Sequence, residues 1–240
     1  MRRYLLIIAA LPLVLGSCHH FFGKRVRGNG NVKTEERQIT AFKNLQVSAS
    51  INVYVSQGDL KAVKIEGDEN LLAYIEVLQE GDDLIIKNRE GYNLDSEDGL
   101  KVFVTSPSFH SINLSGAGDI IGENKITITD QLEVGLSGAG DIKMEVDVPT
   151  LTANISGVGS LYLKGQTKDV DMDISGAGSA HCYELLSENM KIGISGVGSA
   201  EVYASVKLNA SVSGAGSVNY KGNASDVSQN VSGVGSVHKE

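Results

Sequence analysis

Residues 175–199 read SGAGSAHCYELLSENMKIGISGVGS and contain two copies of one short motif, Ser-Gly-Ala/Val-Gly-Ser/Asp. Seven copies occur from residue 115 onward, and the steps between them are 18 to 22 residues. The copies begin at Ser115, Ser137, Ser156, Ser175, Ser195, Ser213 and Ser232. A repeat of near-constant length close to twenty residues is typical of a solenoid, in which each repeat forms one coil stacked on the previous coil.

Apolar and polar residues alternate on both sides of the motif. The position before each motif serine is always Leu, Ile or Val, and the alternation resumes five residues after the serine, for example at Ile142 and Leu161. A period of two indicates a β-strand with one buried face. Each repeat is therefore predicted to contain a strand, a glycine-rich corner, a second strand and a polar return, such as residues 147–150 or 165–169.

Coils of this kind bury their apolar side chains only by stacking, with equivalent strands about 4.8 Å apart. The residues before the motif serines are then expected to form one inward ladder. The small apolar residue between the two glycines is interpreted as a filler of the corner, and the glycines as positions of close backbone approach. These corner residues are Ala117, Ala139, Val158, Ala177, Val197, Ala215 and Val234.

The stretch 31–112 is less regular than the stretch 113–240. Residues 44–55 alternate well, and residues 69–73 fit one helical turn. We interpret residues 31–112 as irregular β coils that continue and cap the regular solenoid of residues 113–240. A separate small β domain is the alternative.

The N-terminus, MRRYLLIIAALPLVLGSC, has the layout of a cleavable secretory signal. Two arginines precede a short apolar run, and Leu-Gly-Ser-Cys at residues 15–18 resembles the bacterial lipobox, in which the cysteine is acylated and the chain is cut before it. Residues 1–17 are therefore predicted to be a lipoprotein signal peptide, and Cys18 to be the lipidated residue. Several acyl chains hold a protein stably on a membrane, so the membrane is the first expected partner.

Residues 18–30 are predicted to form a flexible, locally basic tether between this anchor and the domain. In lipoproteins of the Bacteroidetes type, an acidic stretch after the acylated cysteine resembles an export signal, whereas Lys24, Arg25 and Arg27 are basic. The expected location is the cell envelope. A periplasm-facing anchor is favoured, with the cell surface as the alternative.

Charge and cysteine content narrow the function classes. The formal net charge of −8 becomes about −10 without the two arginines of residues 1–17, which argues against nucleic acid as a partner. Cys182 has no second cysteine once Cys18 is acylated, so we expect a core thiol and no disulfide. No cofactor and no metal are expected, and the stacked Asp119 and Asp141 are expected to be screened by solvent.

The motif ladder resembles the DUF2807 family, which is named for the head GIN domain of adhesins. The resemblance also rests on AFKNLQVSASINVYVSQGD at residues 41–59 and DENLLAYIEV at residues 68–77, and it covers about residues 30–240. It implies an all-β fold of the right-handed parallel β-helix (solenoid) type, and here the coils are about 19 residues long. It also implies an adhesin-like role.

One surface is a candidate ligand-binding face. The outward positions six and eight residues past the motif serines include Tyr162, His181, Tyr183 and Tyr203. Tyr183 and Tyr203 are expected to stack directly, with Tyr162 nearby. Rows of exposed aromatic side chains can bind sugars, while the alternative is that tyrosine simply stabilises its cross-strand neighbours.

Two classes of function are compatible with these features. The favoured class is a non-enzymatic cell-envelope lipoprotein that acts as an adhesin-like binding or structural module, with a glycan or an envelope protein as its partner. The alternative is a carbohydrate-active β-helix enzyme that cleaves polysaccharides. We favour the first class and predict no catalytic residues, because the repeats carry no inserted loop with convergent carboxylates.

Overall fold

The computed structural model describes residues 23–240, so the predicted signal peptide 1–17 and the predicted lipidation at Cys18 lie outside the described residues. Of the described residues, 64% lie in strands and almost none in a helix. Between residues 23 and 240, no helix is both long and apolar enough to cross a bilayer.

The described chain consists of a less regular N-terminal part followed by regular repeats. The N-terminal elements are β1 Lys24–Arg27, β2 Val32–Arg37, β3 Asn44–Ser48, β4 Asn52–Gln57, β5 Val63–Asp68, α1 Glu69–Leu72, β6 Ile75–Glu80, β7 Asp83–Asn88, β8 Tyr92–Asp95 and β9 Lys101–Ser106. The elements of the repeats are β10 Ser111–Leu114, β11 Ile120–Gly122, β12 Ile126–Thr127, β13 Gln131–Leu136, β14 Ile142–Ile155, β15 Ser160–Gly176, β16 Ser179–His181, β17 Leu185–Gly196, β18 Ser199–Tyr203, β19 Lys207–Gly214, β20 Ser217–Lys221, β21 Asp226–Gly233 and β22 Ser236–Lys239.

The strands form two parallel ladders, one on each side of the glycine motif. The ladder before the motif runs β7, β3, β10, β13, β14, β15, β17, β19, β21. The ladder after it runs β9, β4, β11, β14, β15, β16, β18, β20, β22. The regular part is thus a β-solenoid of about seven turns with a spacing of about 19 residues, as predicted.

The predicted inward ladder is confirmed through most of the stack. Ile155, Ile174, Ile194 and Val212 are Cα partners in successive strands, and each is 1 or 2% exposed. The next residue of this column, Val231 in β21, is 43% exposed because no coil of the described residues covers it.

The predicted polar return between coils is a paired strand with one buried face, so its polarity is only partial. β14 and β15 continue through residues 147–150 and 165–169, and Val148 pairs with Thr167. Both side chains are buried. The alternation of inward and outward side chains therefore continues around this side of the coil, and its inward residues extend the core.

The interpretation of the Ala/Val residues as corner fillers is wrong. Val158, Val197 and Val234 are 66%, 64% and 86% exposed. The period-two alternation runs through the corner, so the two glycines take the inward positions and the residue between them points outward. A Cβ on Gly157 would lie 1.9 Å from the carbonyl oxygen of Gly138 in the preceding coil, so no side chain fits at the inward position.

The N-terminal part extends both ladders and then closes them with antiparallel strands. β3 and β4 form the first coil, because they pair in parallel with the first strands of the regular repeats. Beyond them, β6 pairs antiparallel with β7, β5 with β9, and β2 with β5. One core of buried apolar residues extends across the described chain from Phe42 to Tyr220.

The segment predicted as a flexible tether contains a strand. β1 pairs in parallel with β8, and Arg25 bonds Asp95 at 2.7 Å while Arg27 pairs with Glu97. The backbone N–H of Gly30 donates to the buried carboxylate of Asp68 at 2.6 Å. Residues 24–30 are therefore tied to the domain, because basic residues in β1 meet an acidic stretch that lies 70 residues later in the chain.

Candidate functional site

The candidate site lies on the outer face of the ladder that follows the motif. Six residues past the motif serines, the chain places Lys143, Tyr162, His181 and Glu201 side by side on four consecutive strands. All four side chains point away from the core, because the residues on either side of each one are inward.

The aromatic rings in this row stack on each other. The rings of Tyr162 and His181 are 4.7 Å apart with an interplanar angle of 15°. His181 Nδ1 lies 2.8 Å from Glu201 Oε2, and Lys143 Nζ lies 5.2 Å from the centroid of the Tyr162 ring. Because neighbours in the row cover the ring faces, a ligand would meet mainly ring edges and polar atoms.

A concavity of about 570 Å³ opens along this row. Ile121, which lies in the same outward row and is partly exposed, and the ring of Tyr162 give the concavity an apolar part, while the side chains of Met144 and Leu163 point into the core beneath it. Polar and charged residues surround this apolar part, and Lys164 pairs with Glu145 at 3.4 Å. The lining comprises Ile121, Gly122, Glu123, Asn124, Lys143, Met144, Glu145, Tyr162, Leu163, Lys164, His181, Tyr183, Glu184 and Glu201. Three of the four predicted face residues, Tyr162, His181 and Tyr183, therefore lie together.

Tyr183 occupies an insertion in the repeat. Tyr162 aligns with His181, 19 residues later, whereas Gly165 aligns with Leu185, 20 residues later. The extra residue removes Tyr183 from the strand and places it in a turn. Its ring lies 4.0 Å from Lys221 Nζ.

The Tyr183 hydroxyl is buried without a hydrogen-bond partner among the described residues. Burial first, and then the carboxylates of Glu240 and Glu201, raise the pKa of Tyr183 to about 12. Tyr183 thus enters the concavity with its ring, while its hydroxyl is withdrawn from solvent.

Tyr203 lies elsewhere, and the predicted direct stacking of Tyr183 on Tyr203 is wrong. Tyr203 lines a different concavity of about 610 Å³, together with Leu186 and Ser205. Because Tyr183 lies in a turn and Tyr203 lies in β18, the two residues line different concavities.

The outward row continues into the N-terminal part, which the sequence analysis missed. Ile121 pairs with Tyr54, and Tyr54 pairs with Phe103. The Tyr54 and Phe103 rings stack at 5.0 Å with an angle of 17°, and Lys64 Nζ lies 3.9 Å from the Phe103 centroid. One signal was available: Ser48 precedes Tyr54 by six residues, the same offset as in the repeats, but the first coil lacks the glycines that mark the motif.

A second concavity of about 920 Å³ lies beside Phe103. It is lined by Glu36, Gln38, Ser56, Gln57, Gly58, Asp59, Lys61, Ala62, Lys64, Phe103, Thr105, Glu123 and Asn124. Glu123 and Asn124 line both concavities, so the two concavities adjoin each other.

The stacked aspartates are held by the backbone of the coils. Asp119 Oδ1 accepts the N–H of Asp141 at 2.9 Å, and Asp141 Oδ1 accepts the N–H of Ser160 at 3.1 Å. Lys143 lies 3.0 Å from Asp141, and that hydrogen bond and charge raise the pKa of Lys143. In the part of the chain that the structure describes, no three His, Cys, Asp or Glu residues are grouped to hold a metal ion.

Cys182 is a core thiol, as predicted. Its side chain is fully buried, and burial raises its pKa to about 12. A thiol held in its neutral form beneath the surface is neither a nucleophile nor a metal ligand at neutral pH.

The fold and the outer row define a parallel β-solenoid with a polar-rimmed concavity on its outer face. The model of the DUF2807 family, described as "Putative auto-transporter adhesin, head GIN domain", matches residues 41–224. The chain belongs to this family, as its sequence resemblance implied.

Solved structures agree with this assignment. A "putative adhesin" from Bacteroides fragilis is 25% identical with a TM-score of 0.85, and the match covers 90% of this chain and 100% of that one. A "putative adhesin" from Parabacteroides distasonis is 23% identical with a TM-score of 0.67 over the same shares. A "Putative lipid binding protein" from the same species is 22% identical with a TM-score of 0.66, again over 90% and 100%. The latter two share the fold. No curated protein matches the chain significantly.

Proposed function

We propose that this protein is a non-enzymatic, lipid-anchored protein of the cell envelope that binds a glycan in the concavity around Tyr162 and His181. The observation that carries the proposal is the row of Tyr162, His181 and Glu201 along a hollow of about 570 Å³. The family's adhesin description and the adhesin-named neighbour from Bacteroides fragilis support a binding role.

The chemistry of the concavity suits a hydroxyl-rich ligand. The Tyr162 hydroxyl both donates and accepts hydrogen bonds, the carboxylates accept them, and Lys164 donates them. Ile121 offers a partly exposed apolar surface for the C–H face of a sugar ring. Apolar surface together with a few polar groups that fix orientation is the usual composition of a small-ligand site.

The anchor is part of the same proposal. Residues 1–17 would be removed as a signal peptide and Cys18 would carry the acyl chains. Only four residues separate Cys18 from Gly23, where the described chain begins, so five residue steps would keep the domain within about 18 Å of the anchored residue. The periplasm-facing side is favoured over the cell surface, because Lys24, Arg25 and Arg27 make the segment after the anchor basic rather than acidic.

A glycan array probed with the mature protein, followed by titration of the hits, tests the binding proposal. Tyr162→Ser is expected to lower the affinity at least tenfold. Tyr203→Ser is the matched control, because Tyr203 belongs to the same ladder but lines another concavity. Full affinity in folded Tyr162→Ser protein, or an equal loss in Tyr203→Ser, would contradict the proposal.

Fractionation of cells tests the anchor. Cys18→Ser is expected to move the protein from the membrane fraction to the soluble fraction, because the acyl chains supply the membrane affinity. Unchanged membrane association of the variant would reject lipidation at Cys18.

The carbohydrate-active enzyme remains the second candidate, and one observation favours it. The carboxylates of Glu123, Glu145, Glu184 and Glu201 line the same concavity as His181, and pairs of carboxylates are the usual catalysts of glycoside cleavage. Release of new reducing ends from a bound glycan, abolished in Glu201→Gln, would support the enzyme over the binding module. Intact glycan after prolonged incubation is the result expected from our proposal.

A further inference from the structure

We infer that the binding groove extends over both adjoining concavities, with Tyr54 and Phe103 as a second aromatic subsite. Its ligand would be a linear oligosaccharide that is neutral or amine-bearing. This inference rests on the proposed function, because it names the length and charge class of the glycan bound at Tyr162 and His181.

Both aromatic pairs belong to one row of outward positions. Tyr54 pairs with Ile121, Ile121 with Lys143, and Lys143 with Tyr162. These three steps between strands correspond to roughly 14 Å. The whole row from Phe103 to His181 has five steps, or roughly 24 Å. A ligand that contacts both pairs must therefore be a chain of several sugar units that lies along the solenoid axis.

The wall shared by the two concavities is rigidly held. Ser56 Oγ donates to Glu123 Oε2 at 2.6 Å. The backbone N–H of Gln57 donates to Asn124 Oδ1, and Asn124 Nδ2 donates back to the Gln57 carbonyl, both at 2.8 Å. A junction fixed by side-chain hydrogen bonds costs little further ordering when a ligand lies across it, so the two hollows can act as one groove.

The charge of the groove selects against anionic ligands. Six carboxylates line the two concavities, against four lysines. Lys143 and Lys164 are already paired with Asp141 and Glu145. The net negative charge of the lining, in a chain with a formal net charge of −8, repels polyuronates and attracts amines. The carboxylates are Glu36, Asp59, Glu123, Glu145, Glu184 and Glu201.

A glycan fits this face better than an extended peptide. An extended peptide binds a sheet chiefly through free backbone groups at an edge strand. β15, which carries Tyr162, is paired on one side with β14 and on the other with β16 and β17. Its backbone groups are therefore used within the sheet, and the groove offers side chains alone.

The experiment is calorimetric titration of the mature protein with matched dimers and hexamers of three polymers. Chitosan oligomers carry amines, N-acetylated chitin oligomers are neutral, and oligogalacturonates are anionic. The neutral and amine-bearing hexamers are expected to bind at least tenfold tighter than their dimers. Hexagalacturonate is expected to show no binding.

Variants separate the two subsites. The double change Tyr54→Ser with Phe103→Ser is expected to reduce hexamer affinity to that of the dimer and to leave dimer affinity unchanged. Tyr162→Ser is expected to weaken both. Asp59→Arg places a cation at an exposed position that lines the second concavity. It is expected to lower hexamer affinity without disturbing the stacked rings, so it also tests whether the hexamer reaches the second concavity. Melting temperatures of all variants check that the fold is retained.

Each alternative result has a defined meaning. Unchanged hexamer affinity in Asp59→Arg and in the Tyr54 and Phe103 double variant, together with a loss in Tyr162→Ser, would overturn the extended groove and leave the proposed function standing. Tighter binding of hexagalacturonate than of the other hexamers would overturn the charge class. If no oligosaccharide binds the wild-type protein, the proposed function fails and the extended groove fails with it. Binding of a lysine-rich extended peptide instead would assign the groove to a protein partner and overturn the inference.

Discussion

The first coil and the later coils turn the same corner with different residues. In the first coil the corner reads Ser-Ala-Ser-Ile-Asn at residues 48–52, while residues 156–160 read Ser-Gly-Val-Gly-Ser. Ala49 and Ile51 are buried, at the inward positions that glycine occupies in every later coil. Two stretches of unlike sequence therefore follow the same path.

The reason lies in what precedes each corner. A Cβ on Gly116 would lie 1.9 Å from the carbonyl oxygen of Ala49, and a Cβ on Gly138 would lie 1.8 Å from that of Gly116. The inward position of each corner thus points at the backbone of the preceding coil. β3 and β4 are preceded only by separate strands, β7 and β9, so Ala49 and Ile51 have room for side chains. In the first three copies of the motif, stacking on another coil imposes the glycines, rather than the turn itself. In the last four copies the first glycine also has a positive φ, from 117° at Gly233 to 152° at Gly176, so there the turn requires glycine as well.

The largest change in unfolding free energy that we expect depends on whether another coil covers the substituted residue. Ile174→Asp places a charge in the closed interior and should lower the unfolding free energy by more than about 4 kcal/mol. Val231→Asp makes the same kind of change in the same column, at a residue that is 43% exposed, and should cost less than about 1 kcal/mol.

Chemical denaturation of both variants at neutral pH measures this difference. Equal losses would mean that the last coil is covered as the middle coils are. An unchanged stability of Ile174→Asp would reject the stacking register itself.

The stack of coils could be predicted because the motif and the apolar residues beside it recur at a nearly constant spacing. The spacing of the motif and the Leu, Ile and Val column place Ile174 and its partners correctly. The exposed Val158 was mistaken for a filler because the glycines were treated as a break in the alternation, although they continue it. Cys182 was placed correctly by the same rule of parity.

Other features depend on contacts that no local pattern encodes. The pairing of β1 with β8 joins residues 70 positions apart in sequence, so a basic segment seen alone resembles a tether. The row of outward residues correctly indicated where the concavity lies. The residue inserted at Tyr183 could not be recognised from the pattern, and with it Tyr183 and Tyr203 lie in different concavities. The Tyr54 and Phe103 pair was missed because the first coil needs no glycines.

The irregular part should be sensitive to the loss of one carboxylate. The buried Asp68 accepts hydrogen bonds from the Gly30 N–H and from Ser96 Oγ, both at 2.6 Å. Asp68→Ala should lower the unfolding free energy by about 2 to 3 kcal/mol, because both donors lose a charged acceptor. Hydrogen exchange should show faster exchange in β1 and β2, while the coils beyond Ser156 keep their protection. Equal acceleration in both parts would contradict a local role for Asp68.

The regular part should be the more sensitive to alkaline pH. The pKa of the Cys182 thiol rises from 9 to about 12, and that of Tyr183 rises from 10 to about 12. The unfolded chain ionises first, so the stability due to these two groups is complete below pH 9 and declines as the pH rises toward 12. Denaturation curves between pH 8 and 11 should show this decline, and Cys182→Ala should make it shallower. A variant with the same decline as the wild type would contradict the contribution of the thiol.

The claim that stacking imposes the glycines of the first three copies is tested most directly by two identical substitutions. Gly157→Ala would bring a methyl group within 1.9 Å of the Gly138 carbonyl oxygen, whereas in Gly58→Ala the new methyl group meets only Thr105 Cγ2 at 3.5 Å. The measurement is the unfolding free energy of each variant. We expect Gly157→Ala to lose about 3 kcal/mol, because overpacking against a fixed backbone is costly, and Gly58→Ala to lose less than about 0.5 kcal/mol. Equal values for the two variants would contradict the claim.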